Sequence, residues 1–132
     1  MRMRIGQKIT TPTYISAMQE REGIRREIDR VFRTADFILT PSTQILPPTW
    51  SQLKKSKSRT MKMELNYRLV KFTRLANMVG IPALVLPWGY SKGGLPLSIQ
   101  LLAPRLGEAN LLKFAYALER ETPELRNRVP YL

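Results

Sequence analysis

The residues most often used for chemistry are scarce in this chain. It holds no histidine and no cysteine, which removes the commonest general base, the commonest metal ligand and any thiolate nucleophile together. Nucleophilic catalysis would need a serine or threonine activated by lysine, or a pair of carboxylates. Ser91-Lys92 and Ser56-Lys57 are adjacent serine–lysine pairs, but neighbours in sequence rarely point two side chains at each other, so turn polarity is the plainer account. The acidic residues sit mostly among Arg and Lys on helical patterns, where they suit ion pairs better than a glycosidase-type carboxylate pair. No acidic cluster confined to one loop suggests an oxygen cage for a cation. Gly89, Gly93 and Gly94 have neither GxGxxG nor Walker spacing, and no helix start follows them, so they suit turns and not a phosphate cradle. No catalytic, cofactor-binding or metal-ligating residue is assigned, and no cofactor.

The sharpest candidate for direct binding is the basic run from Lys54 through Lys55, Lys57 and Arg59 to Lys62. With Trp50 and Tyr67 it could offer phosphate contacts and stacking surfaces. The aromatics are not interleaved with the charges, and no nucleic-acid motif is visible. A solvated basic loop is the plainer reading, and nucleic acid the less favoured partner.

Those residues have to be held by elements, and the totals bound which. At 132 residues the chain is the size of one domain, and its 43% apolar content is near the globular norm. A net charge of +12 argues for attraction to polyanions and says nothing about fold. No run of about 18 apolar residues indicates a membrane span. The basic start MRMRIGQKIT lacks the apolar core of a secretory signal, so a soluble, cytoplasmic protein is expected.

Thr11-Pro12 reads as a helix start, with Thr as cap and Pro at the first helical position. Tyr14, Ala17, Ile24, Ile28, Val31 and Ala35 then mark one face of a helix of roughly six turns. Asp36 to Pro41 reads as a short buried strand ended by proline. Residues 42–63 carry Pro47-Pro48 and the lysines without periodicity, and read as a long basic loop. Leu65, Leu69, Phe72, Ala76 and Val79 mark an amphipathic helix, with Gly80 as a left-handed cap and Pro82 as a stop. Ala83 to Leu86 is apolar at every position, so a strand buried on both faces is expected, ended by Pro87. Ser91 to Gly94 reads as a turn, and Leu95 to Leu102 as a returning strand. A last helix from about Glu108 to Glu121 buries Leu111, Ala115 and Leu118, and Pro123 stops it.

Several of these pieces resemble the C-terminal region of the amidase signature family. Phe72 to Asn77 followed by Gly80 to Pro87 is similar to the family's FTxPxNLxGxPAxSxPxG. Gly94-Leu95-Pro96 with Gln100 is similar to GLPxGxQ, and Leu111 to Ala115 with Glu119 to ExxLLxxAxxxE. Tyr14 on the first helix and the Asp36 to Pro41 strand extend the likeness from about Arg4 to Glu121. Departures fall at Leu75, Ala76, Val85 and Ser98, which are packing positions.

The resemblance implies an α/β fold: the C-terminal portion of a mixed-sheet α/β/α sandwich, in the order long helix, short strand, long loop, helix, strand, turn, strand, helix. Residues 1–132 would form one partial domain, with the basic loop 42–63 inside it. The family hydrolyses or transfers amide groups with a Ser–cis-Ser–Lys triad, whose serines lie in or near a Gly-Gly-Ser-Ser-Gly-Gly-type stretch that also supplies oxyanion donors. No such stretch occurs here, so the resemblance carries no catalytic residue onto this chain, which alone is expected to be inactive. It implies a missing N-terminal part as partner, or self-association in its absence, and a small-molecule amide substrate only in the complete enzyme. Cut loose, the apolar strand would expose edges and faces, so marginal stability or self-association is expected. Two alternatives stand beside it: an interaction module pairing with a separate amidase N-terminal part, and a small basic nucleic-acid-binding protein.

Overall fold

A computed structural model describes residues 6–55 and 58–126. The chain divides into two units, residues 1–35 and 36–132. The first unit is dominated by α1, Thr11–Val31, with Thr10 at the N-cap position making no side-chain capping bond and Pro12 in the first turn, one residue from the expected start. Its polar face carries an Arg25–Glu22 ion pair at 3.4 Å. No residue of α1 is buried, and Tyr14, on the expected inner face, is among the exposed apolar residues.

The second unit is built on three strands, β1 (Ile38–Pro41), β2 (Ala83–Tyr90) and β3 (Pro96–Leu102), in the order β1-β3-β2 with both pairings antiparallel. Register pairs Leu101 with Leu39 on one side and Leu84 on the other, while Gln100 pairs with Thr40 and Val85. Because side chains alternate along strands, Leu101 and Gln100 belong to opposite faces.

The Leu101 face is covered by α5, Glu108–Glu121, which buries Leu111 and Ala115 against Leu101 and Ala103. Leu84, Leu86 and Leu118 pack around that cluster, as does Phe37, whose ring stacks on Phe114 at 4.6 Å. The periodicity of the last helix is therefore realised at the expected positions. A further turn, α6, Pro123–Arg126, follows it.

The Gln100 face meets the start of α4, Thr73–Val79. Gln100, 2% exposed, donates from Nε2 to Thr40 Oγ1 and to the Phe72 carbonyl, each at 3.3 Å. The single helix expected over 65–79 is instead two, α3 (Arg59–Val70) and α4, broken at Lys71-Phe72. At the break the Thr73 hydroxyl donates to the Val70 carbonyl at 3.2 Å, and the Phe72 carbonyl that opens α4 accepts from the strand residue Gln100 as well.

Gly80 closes α4 in the left-handed region, φ 72°, and its N–H reaches the Ala76 carbonyl at 2.9 Å. A Cβ is penalised there. Gly80→Ala is expected to cost about 1–2 kcal/mol, read as a lowered urea midpoint with unchanged slope.

Two expectations about β2 are corrected. The strand is not buried on both faces: Leu84 and Leu86 are half-buried, whereas Val85 is 51% exposed. Nor does Pro87 end it, since the strand runs on to Tyr90. β2 is an edge strand of this sheet, where a proline without an N–H is tolerated. The register slips between Pro87 and Gly89, leaving Trp88 as a bulge, and Gly89 takes φ 139° beside it. The hairpin closes as expected through Ser91–Gly94, with Gly94 N–H on the Ser91 carbonyl at 2.9 Å and Ser91 N–H on the Leu95 carbonyl at 2.8 Å.

Candidate functional site

The stretch expected to be a loop, residues 42–63, holds α2 (Trp50–Lys55) and the first turn of α3. Both starts are made by side chains. Thr49 and Gln52 form a reciprocal box: the Gln52 N–H donates to Thr49 Oγ1 at 3.2 Å, and the Thr49 N–H to Gln52 Oε1 at 2.8 Å. Ser58 caps α3, accepting from the Met61 N–H at 3.1 Å. The preceding loop is tied to α3 by the Gln44 N–H, which donates to the Arg68 carbonyl at 3.3 Å.

Between these pieces lies an open cavity of about 870 Å³. Ile45, Leu46, Pro47 and Pro48 form one wall, Met61 and Leu65 of α3 another, and Leu95 from the hairpin a third. Polar groups are few: Thr49, Gln52 and Thr60, with Glu64 and Arg68 one turn apart on α3. An apolar hollow with a small number of polar groups is the usual form of a small-molecule site. Thr49 Oγ1 is already committed to the α2 start, and no histidine or cysteine exists to activate a nucleophile. The cavity can hold and orient an apolar group.

The other sequence candidates do not converge on it. Ser91 accepts the Leu95 N–H on its Oγ at 3.1 Å, so it braces its own turn, and Lys92 is exposed. Ser56-Lys57 lies outside the described residues. Trp50 is 79% exposed. Tyr67 lies under the Arg74 guanidinium, 5.3 Å from ring centre to cation, which occupies one of the two aromatic surfaces proposed for stacking. Among the described residues no three acidic side chains group as a metal site, and no helix is long and apolar enough to cross a membrane. The cavity itself escaped the sequence reading, although Thr49-x-x-Gln52 beside the apolar Ile45-Leu46 was a usable signal.

Comparison with known proteins adds a family. The family described as Amidase matches residues 1–112. A fatty acid amide hydrolase of Oryza sativa subsp. japonica is 33% identical over 121 residues, covering 90% of this chain and 19% of the relative. A glutamyl-tRNA(Gln) amidotransferase chain of Thermodesulfovibrio yellowstonii is 34% identical over 110 residues, covering 83% and 22%. The structure of 6-aminohexanoate cyclic dimer hydrolase complexed with substrate superposes with TM-score 0.79 at 24% identity, over 94% of this chain and 27% of that one. At that identity the superposition shows the fold alone. The chain thus spans about a fifth of the length of the curated relatives it matches.

Proposed function

The chain belongs to the amidase family, and from that premise we propose that it serves an enzyme hydrolysing amides with an apolar acyl portion. Its own part is the C-terminal, non-catalytic segment, which walls the acyl end of the substrate. The nucleophile and its lysine are supplied by the remainder of the domain. The observation that carries this is the cavity between residues 45–49, α2 and α3, apolar on three sides.

The relatives differ in what their names say they act on, and the cavity favours one of them. A fatty acid amide presents methylenes, each worth about 0.8 kcal/mol when buried, and Leu46, Met61, Leu65 and Leu95 suit that load. A glutamine side chain has only two methylenes to set against those apolar walls and gains correspondingly less from them. The rest of the domain would also cover the sheet, whose β2 has no further strand on its outer edge among the described residues. A cytoplasmic setting belongs to the same proposal.

The test is a graft, in which this chain replaces the matching segment of the rice relative. The isolated chain is expected to give no turnover of an acyl anilide. The graft is expected to hydrolyse long-acyl anilides in preference to short or polar ones. Turnover by the isolated chain would overturn the non-catalytic role, and a graft preferring glutamine would overturn the acyl reading.

A further inference from the structure

The apolar walls do not account for the charge at one end of the cavity. Thr60, Met61, Glu64, Leu65 and Arg68 line it from α3, and their spacing puts all of them on one face of that helix. Arg68 lies one turn beyond Leu65, so a chain laid along Met61 and Leu65 runs on toward a guanidinium. The backbone there is fixed, because the Arg68 carbonyl accepts from the Gln44 N–H at 3.3 Å. The guanidinium itself makes no hydrogen bond or ion pair among the described residues. Glu64 stands one turn before it in the order that favours an i,i+4 pair, yet the two do not close to salt-bridge distance. The surroundings are positive as well. From Thr43 to Ala103 the sequence holds nine lysine and arginine residues against the one acid, Glu64, a surplus of eight.

We propose that Arg68 selects acyl chains whose far end carries a carboxylate, which makes the monoamides of long dicarboxylic acids the substrate class. This specificity rests on the acyl reading above and adds the group at the end of the chain. The scissile amide has to reach a nucleophile supplied from outside this segment, so what lies deepest along α3 is the far end of the acyl chain. A methyl group there gives Arg68 nothing. A carboxylate gives it a planar partner that can take two parallel N–H···O bonds. The charge balance sets the sign: an ammonium-ended chain could use Glu64, but it would meet Arg68 one turn away and the positive surplus around it. Arg68 is exposed, so solvent and salt screen the pair and its effect is a moderate one.

The rice graft tests this with the anilide of decanoic acid beside the monoanilide of decanedioic acid, which differ only at the far end. The dicarboxylic substrate is expected to show a kcat/KM roughly tenfold higher, carried by KM because the contact is the same in the ground and transition states. Arg68→Gln is expected to abolish that ratio, Arg68→Lys to keep part of it, and Glu64→Gln to raise it about twofold. Added salt should shrink it. A graft that prefers long acyl chains but treats the two anilides alike would overturn the role of Arg68 and leave the acyl reading in place. A graft with no preference for long chains would overturn both. A second measurement needs no turnover: the full chain is titrated with octanedioate, octanoate and succinate and followed by amide NMR. Octanedioate is expected to bind most tightly, to shift the amides of Leu65 and Arg68, and to lose about tenfold in affinity with Arg68→Gln, while circular dichroism shows that variant to be folded. Equal binding of succinate would mean attraction to surface charge alone, and an unchanged affinity in Arg68→Gln would put the carboxylate elsewhere. Either result overturns the proposal.

Discussion

Leu101→Ala should be the most damaging single truncation in the chain, lowering the free energy of unfolding by about 2–5 kcal/mol. Leu101 is fully buried near the end of the central strand, between Leu39 and Leu84 of its neighbours. The residues beneath it include Ala103, Leu111 and Ala115. Two of those are alanines and have no side chain to swing into the space left behind. The cavity would therefore persist, which places the cost toward the upper end of the range. Total stability for a domain of this size is only about 5–15 kcal/mol, so one methyl-rich side chain is a large share of it. Urea unfolding followed by circular dichroism measures the change. Leu112→Ala is the control: it lies on the same helix but is exposed, and should stay within about 0.5 kcal/mol of the parent. Equal losses in the two variants would mean that the core does not centre on β3.

How much of this was legible in the sequence depends on where each element finds its stabilising partner. The closing helix was readable because Leu111, Ala115 and Leu118 repeat at helical spacing and bury on one sheet face. Gly80 and the Ser91–Gly94 turn were readable because their geometry is local. β2 was misjudged because four consecutive apolar residues state hydrophobicity but not neighbours. Val85 is as apolar as Leu84, yet faces outward in this chain. The α3–α4 break was invisible for a different reason: Gln100, which packs against it and donates to the Phe72 carbonyl, is 28 residues away. Helix α2 and the first part of α3 were missed because Met61 and Met63 lie on opposite sides of the helix and add no period ahead of Leu65. Their starts are fixed by capping side chains, and capping was the signal to follow. The family pattern pointed to the right fold because it reads order and spacing, which survive at packing positions where residue identity drifts.

The cavity offers the sharpest functional change. In the rice graft, Leu65→Arg is expected to reduce kcat/KM for a long-acyl anilide by about a hundredfold, while leaving a short-acyl anilide within about threefold. Leu65 lines the cavity and is half-buried on α3 between Met61 and Arg68. A guanidinium placed there would crowd a second cation against Arg68 and deny the acyl chain its apolar wall. Losing contact for three or four methylenes at about 0.8 kcal/mol each amounts to about 2.4–3.2 kcal/mol, and every 1.4 kcal/mol is tenfold. A short acyl group never reaches this wall, so its turnover reports only whether the graft is folded and its catalytic groups aligned. Leu65→Met keeps the volume and the apolar surface, and should restore long-acyl activity to near the parent level. A uniform fall for long and short substrates would show that Leu65 supports the structure without touching substrate. No change in either would remove the cavity from the substrate path and leave the chain with a purely structural place in the enzyme.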